Sequence, residues 1–374
     1  MALEDVIYLI VFTLFQTSFL LQLYYIFVVH KRLAAYKESE PSEPVDHPVS
    51  VIICARNEEE NLKKNLPSVL GQDHGNFEVV VVNDCSADDS QYVLRDFSRE
   101  YANLKVVTIN EHMRYKHGKK FAVTLGIKAA SHEHLVFTDA DCSPASPAWL
   151  RRMQQHFSGD TEIVLGYSPY EKRSGFLNRL IRYETFITAL NYLSYALQRD
   201  PYMGVGRNMA YKKSLFFRGK GFASHMHIPS GDDDLFVNQN ATGRNTAIEI
   251  HPEAQVWSTP ETTWSDYFRQ KLRHMGAGKA YRKRHKRMLT LQAASALAFY
   301  VLLGVMILLQ AQWWMLLATF LIRAIAQWAV YGRALKKLSY GDLAAWLPVF
   351  DFVYYFYILA LSIITLFKKR VQWK

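Results

Sequence analysis

The chain has 374 residues, half of them hydrophobic and 14% aromatic, with a formal net charge of +10. That length holds one globular domain of ordinary size plus further segments, and the apolar share is high for a wholly soluble protein. The charge does not point to nucleic acid, because His30-Lys31-Arg32, Arg282 to Arg287 and Lys368 to Arg370 all flank apolar runs, where basic residues face anionic headgroups.

In chain order, Val6 to Val29 is apolar apart from Thr and Gln and is long enough for a spanning helix. The acidic Met1 to Asp5 and the lack of a small-residue cleavage site predict an uncleaved anchor over residues 1–30. Residues 31–48 form a linker, with three prolines between 38 and 48. Strands are expected at Val49 to Ala55, Phe77 to Val82, Leu104 to Ile109 and His134 to Thr138. Helices are expected at Glu58 to Leu70, Asp88 to Arg99, Lys119 to Ala130 and Ser146 to Phe157. The strands are continuous apolar runs, as in a parallel sheet covered on both faces. Residues 171–200 interleave aromatics with Arg179, Arg182 and Arg199, which fits either an amphipathic helix at the bilayer interface or a core helix.

Three further apolar stretches, Leu291 to Leu309, Trp313 to Val330 and Leu343 to Phe367, give residues 286–374 two to three membrane helices; the last, with Pro348 and Asp351, either spans or re-enters. Lys31, Arg32 and Lys37, together with residues 282–287, predict that the domain at 49–285 is cytoplasmic and the protein integral to the cell membrane. The three cysteines, Cys54, Cys85 and Cys142, form no CxxC and no disulfide framework, in keeping with a reducing compartment.

Ligands of open α/β sheets bind beyond the carboxyl ends of the strands. There the sequence places Ala55-Arg56-Asn57-Glu58, then Asn83-Asp84-Cys85-Ser86-Ala87-Asp88, then Asp139-Ala140-Asp141. Ser86 and Asp89 also match a helix capping box. Asp139 and Asp141, two apart in extended backbone, project to one side and make a hard oxygen site for Mg²⁺ or Mn²⁺. Further on, Gly204-Val205-Gly206-Arg207-Asn208 is a glycine-rich turn without the Lys-Ser/Thr ending of a P-loop. Ser230-Gly231-Asp232-Asp233-Asp234 packs three aspartates whose repulsion favours one with a raised pKa, suited to a general base, or else forms a capping box through Ser230 and Asp233. His112, His117, His225 and His227 fall in loops and carry no assignment.

In order and spacing these pieces, together with Gly118-Lys119-Lys120 and Gly206-Arg207-Asn208-Met209-Ala210-Tyr211, resemble a membrane-bound family 2 glycosyltransferase. The resemblance implies a GT-A type, Rossmann-like mixed sheet flanked by helices, carried between N-terminal and C-terminal transmembrane helices. By the same resemblance Ala55, Arg56 and Glu58 line a nucleotide pocket, Asp84 accepts from a uracil ring, and Lys119 lies near the nucleotide. Asp139 and Asp141 would hold the metal on the diphosphate, while Gly206 and Asn208 would lie by the donor sugar. The family's Glu-Asp pair aligns with Asp232-Asp233, making Asp233 the expected base and Asp232 and Asp234 its alternatives. Gln270-Lys271-Leu272-Arg273-His274 resembles the Gln-x-x-Arg-Trp motif of processive synthases, with His274 in place of Trp. Gln270 would face the sugar or acceptor, and Arg273 would neutralise the departing diphosphate.

The expected activity is metal-dependent, inverting transfer of a sugar from a nucleotide sugar, a UDP-sugar by expectation, to a lipid or membrane-associated glycan acceptor. No nucleic acid is expected. The rivals are a processive polysaccharide synthase, a non-catalytic nucleotide-binding membrane protein and a nucleotidyltransferase, the last disfavoured because Ala55-Arg56-Asn57-Glu58 is not a glycine-rich activating loop.

Overall fold

The computed structural model describes residues 3–38, 46–110, 118–274 and 276–367. Met275 lies outside them, as do His112 and His117, residues 39–45 of the linker, and Lys368, Lys369 and Arg370.

The chain begins with the long helix α1 (Leu3–Ala35), whose Tyr25–His30 segment widens into π-helical turns. It then enters a sheet through β1 (Val49–Ala55). Helix α2 (Glu59–Leu70) leads to β2 (Phe77–Asp84), and α3 (Ser90–Glu100) to β3 (Leu104–Ile109). Helix α4 (Lys119–Ala129) then leads to β4 (His134–Asp139). The strands β5 (Cys142–Pro144), β6 (Ile163–Leu165), β7 (Met209–Lys212), β8 (Thr246–Ile248) and β9 (Val256–Ser258) are short. Seven strands form one sheet in the order β3-β2-β1-β4-β7-β6-β8, and β5 pairs with β9 separately. The first four sheet strands are mutually parallel, whereas β7 runs antiparallel to both β4 and β6. The sheet is thus mixed, as expected of the GT-A type.

The register fixes the working edge. Asp139 stands opposite Cys54, Ala55 opposite Asn83, and Asp84 opposite Ile109, so the polar residues that end β1, β2 and β4 share one rim. Beneath that rim the strand residues Val49, Val51, Val79, Val81 and Val136 are wholly buried, as the continuous apolar runs require.

Helix α5 (Phe176–Leu197) corrects the idea of a helix lying on the bilayer surface: from Leu180 to Leu190 only Thr185 and Thr188 are partly exposed, and the rest is buried. Its Arg182, buried, donates from both terminal nitrogens to Asp342 at 2.9 and 2.5 Å. A buried guanidinium is tolerable only with such a partner. Two shorter helices follow, α6 (Asp234–Asn240) and α7 (Trp264–His274). The C-terminal helices are α8 (Lys283–Leu308), α9 (Trp313–Lys337) and α10 (Leu347–Phe367). Together with α1 they make four helices long and apolar enough to cross a membrane.

Those helices are pinned by polar contacts far from water. Arg323 on α9 donates to Asp351 on α10 at 2.7 Å and to Gln22 on α1 at 3.0 Å. Gln327 donates to the other Asp351 oxygen at 2.6 Å, and Gln22 reaches Ser295 on α8 at 2.8 Å. A second cluster joins His30, Asn191, Gln292 and Tyr331, which ties α5 to three of the four helices. Arg323→Met, which leaves Asp351 buried without its cation, is expected to cost about 3–5 kcal/mol, read as a lower thermal midpoint in detergent. Adding Asp351→Leu should recover most of that loss.

Candidate active site

Two loops at the rim are stitched to each other. Asn57, at φ 55°, accepts from the Ala87 amide through Oδ1 at 2.7 Å, while its own amide donates to Ser86 Oγ at 3.0 Å. The amides of Glu58 and Glu59 donate to Ser90 Oγ and Asp88 Oδ2 at 3.1 and 3.0 Å. Ser86 and Asp89 therefore form no capping box; Asp89 is the N-cap of α3 without a side-chain bond. The stitch fixes the backbone that presents Ala55, Arg56, Glu58 and Asp84 to a hollow of ≈ 560 Å³. Asp84 is buried, and its Oδ1 has no hydrogen-bond partner. A buried acceptor left open in this way suits a ligand N–H.

The same hollow is lined by Lys119, Asp139, Asp141, Gly206, Gln270 and all of Asp232, Asp233 and Asp234. Residues more than 90 positions apart thus meet on one surface. Lys119, at the start of α4, donates to Asp139 Oδ1 at 2.8 Å and lies 3.4 Å from Asp232 Oδ2. Burial alone would depress its pKa, but Asp139, Asp232 and Asp233 together hold it well above the ordinary lysine value. The turn between Asp139 and Asp141 is clamped from below, since Asn65 donates to the Ala140 carbonyl at 2.9 Å.

Burial first, and Asp139 second, raise the pKa of Asp141, with Arg207 opposing. Two crowded carboxylates, Asp139 half-buried and Asp141 open to the hollow, fit a hard divalent cation, which would relieve their repulsion. Among the described residues no third His, Cys, Asp or Glu closes a cage around the pair. The donor set therefore suits a cation that completes its shell with phosphate oxygens.

The aspartate run divides its labour. Asp233, not Ser230, caps α6: its Oδ1 accepts from the Asp234 amide at 2.7 Å. Its Oδ2 accepts from the Gly206 amide at 2.8 Å, and a Cβ on Gly206 would stand 3.3 Å from the Asp233 side chain, so the turn needs a small residue there. Asp234 accepts from the Tyr281 hydroxyl at 2.8 Å. Burial and Asp232 raise the pKa of Asp233, while burial and Asp233 push Asp234 up to about 7.

Asn208 is not part of the hollow. Its amide is wholly buried, donating to the Tyr167 and Ala254 carbonyls at 2.8 Å each and accepting from Trp149 at 3.0 Å, which binds β7 to its neighbours. Arg273 lies on α7, and its side chain is outside the described residues.

Several residues in or behind the walls of the hollow escape the sequence reading. Arg207 stacks on Tyr170 at 4.4 Å, and its Nη1 is buried without a partner beside the Asp139–Asp141 turn. Lys120 is buried and donates to the His225 and Ile228 carbonyls at 2.6 and 3.0 Å, bracing the loop that carries the aspartates. Burial lowers its pKa to about 8. Glu184 on α5 accepts from Tyr267 at 2.5 Å and pairs with Lys271 at 2.7 Å. Lys120 and Arg207 sat inside motifs already recognised; Glu184 and Tyr281 carried no local signal.

Residues 50–218 match the family described as Glycosyl transferase family 2. A glycosyltransferase, AglE, of Haloferax volcanii is 38% identical over 120 residues, 32% of this chain and 38% of that protein. An uncharacterized glycosyltransferase of Haemophilus influenzae is 23% identical over 220 residues, 56% of this chain and 64% of that one. The chain thus spans less than two thirds of the length of either relative. Among solved structures, a mannosyltransferase from Pyrobaculum calidifontis in complex with GDP-Man and Mn²⁺ superposes with a TM-score of 0.59 over 93% of this chain and 99% of that one, at 19% identity, a likeness of fold.

The raised pKa of Asp234 has a sign. Folding favours its protonated form, so this residue's contribution is present below pH about 4 and lost as pH rises to about 7. Asp234→Asn should therefore gain thermal stability over the wild type progressively between those values, with the difference level above them. A difference independent of pH, in melting curves across pH 4 to 8, would contradict the assignment.

Proposed function

With residues 50–218 belonging to glycosyl transferase family 2, we propose that this chain moves a sugar from a nucleotide sugar, a UDP-sugar by preference, onto a lipid or membrane-associated glycan acceptor, with inversion. The observation that carries the reading is the convergence of Asp84, Lys119, Asp139, Asp141 and Asp232 to Asp234 on one hollow.

In this reading Ala55, Arg56, Glu58 and Asp84 receive the nucleoside, and Asp139 with Asp141 hold Mg²⁺ or Mn²⁺ against the diphosphate. The GDP-Man and Mn²⁺ named with the Pyrobaculum enzyme support that class of ligand. A bound divalent cation supplies charge neutralisation of the leaving diphosphate. Asp233 accepts the acceptor's proton as its oxygen attacks the anomeric carbon, a role supported by its place on the hollow, its raised pKa and its hold on the Gly206 turn. Asp232 stays paired with Lys119, and the Tyr281 hydroxyl holds Asp234. Gly206 gives the donor sugar a close backbone approach. Gln270 faces the acceptor, and Arg273 assists departure of the diphosphate.

Four apolar helices support an integral membrane protein, and the basic residues flanking them support a cytoplasmic catalytic domain at the cell membrane. The interior between those helices is packed with the Arg323 network. That packing favours single-sugar addition over a synthase that threads its polymer through the membrane.

In a nucleotide-release assay with detergent-purified protein and a panel of sugar nucleotides, Asp141→Ala should abolish metal-dependent turnover while the melting curve stays cooperative. Asp233→Asn should slow transfer about 10²–10⁴-fold. Near-normal turnover in Asp141→Ala would refute the metal assignment.

A further inference from the structure

The hollow has two halves of different chemistry. One is the rim of β1, β2 and β4. The other is walled by α5 and α7, through Glu184, Thr185, Thr188, Tyr192, Gln270 and Lys271. Thr185 and Thr188 stand on one face of α5 and are the two partly exposed residues between Leu180 and Leu190. In this second half Lys271 is the single cation among the described side chains, and its ammonium is paired with Glu184 at 2.7 Å; Arg207, whose Nη1 is buried without a partner, stands by the Asp139–Asp141 turn in the first half. Glu184 is pinned in turn by the Tyr267 hydroxyl, itself bonded to Tyr357 on α10 at 2.8 Å.

A phosphate monoester is recognised by uncompensated Arg or Lys, preferably in a bidentate fork. This wall offers hydroxyls, an amide, aromatic rings and one ammonium already neutralised by the Glu184 carboxylate. Next to it stand three aspartates that would repel a dianion. They also speak to the nucleophile itself. A phosphate oxygen is already ionised near neutral pH and needs no base, whereas a sugar hydroxyl must lose its proton as it attacks.

Resting on the transferase reading above, we infer that the acceptor is a saccharide hydroxyl, held by Thr185, Thr188, Gln270 and Glu184, and not the phosphate of a lipid carrier. The acceptor oxygen forms a bond to the anomeric carbon, and the bond from that carbon to the diphosphate oxygen breaks. The electron pair leaves with the nucleoside diphosphate, and the acceptor proton passes to the aspartate carboxylate. Donor and acceptor supply every atom, and no oxidant or reductant is required.

The test uses the full chain in detergent, each member of the sugar-nucleotide panel as donor, and two acceptor sets: octyl glycosides and farnesyl phosphate. At least one glycoside should raise nucleotide release about tenfold or more above water, with the label recovered in an acid-stable disaccharide, and farnesyl phosphate should not. Thr188→Val should raise the KM for that glycoside about tenfold while leaving the donor KM in place, as loss of a hydroxyl contact would. Equal or greater stimulation by farnesyl phosphate, or none by any glycoside, overturns the inference. No nucleotide release from any donor, with or without acceptor, overturns the transferase reading itself.

Discussion

The ammonium of Lys119, half-buried among carboxylates, organises the candidate site. Lys119 lies between Asp139, which ends a parallel strand, and Asp232, which precedes a helix nearly a hundred residues later. Without that cation two carboxylates would face each other across a partly closed hollow, at a cost that burial makes steep. Its presence lets the chain bring more acidic groups to this place than it could otherwise hold. Burial first, and the remaining repulsion second, raise the pKa values of Asp141, Asp233 and Asp234. Such a site is poised for a divalent cation and for a proton acceptor, the two needs of sugar transfer from a diphosphate.

Helix α5 joins this chemistry to the apolar helices. One face gives Glu184, Thr185 and Thr188 to the hollow. Other positions reach toward the spans, where Asn191 meets Gln292 at 2.7 Å and His30 at 3.0 Å, and Tyr183 approaches Asp351 at 3.4 Å. The α5–α7 wall of the hollow and the helix bundle therefore share one helix, and Tyr357 adds a second link through Tyr267. Strain or repacking among the four long helices should be felt first at that wall, since the nucleoside side rests on the stitched loops between Asn57 and Asp88.

Much of the fold was legible because it depends on local pattern. Continuous Val and Ile runs ending in polar residues predict parallel strands, and β1, β2 and β4 follow them to within two residues. The Asp139–Asp141 pair was legible for the same reason, since strand direction alone decides where it lands. Features that depend on distant partners were not. Arg182 left a surface helix and a core helix equally open because its counter-charge, Asp342, lies 160 residues on. Ser86 and Ser230 looked like helix caps, yet Ser86 is drawn to Asn57 and the cap at α6 falls to Asp233. Asn208 looked like a ligand in a glycine-rich turn, but three buried contacts consume its amide. Glu184 and Tyr281 become meaningful only when the helices that carry them meet the aspartates.

The central claim is that the rim carboxylates form one site whose charge is completed by a cation and a nucleoside diphosphate together. Calorimetric titration of UDP into the purified full chain, with and without Mn²⁺, measures this directly in the wild type and in Asp139→Ala. Mn²⁺ should tighten UDP binding about tenfold or more in the wild type and leave the variant unchanged. An equal Mn²⁺ enhancement in both proteins would place the cation elsewhere and contradict the account.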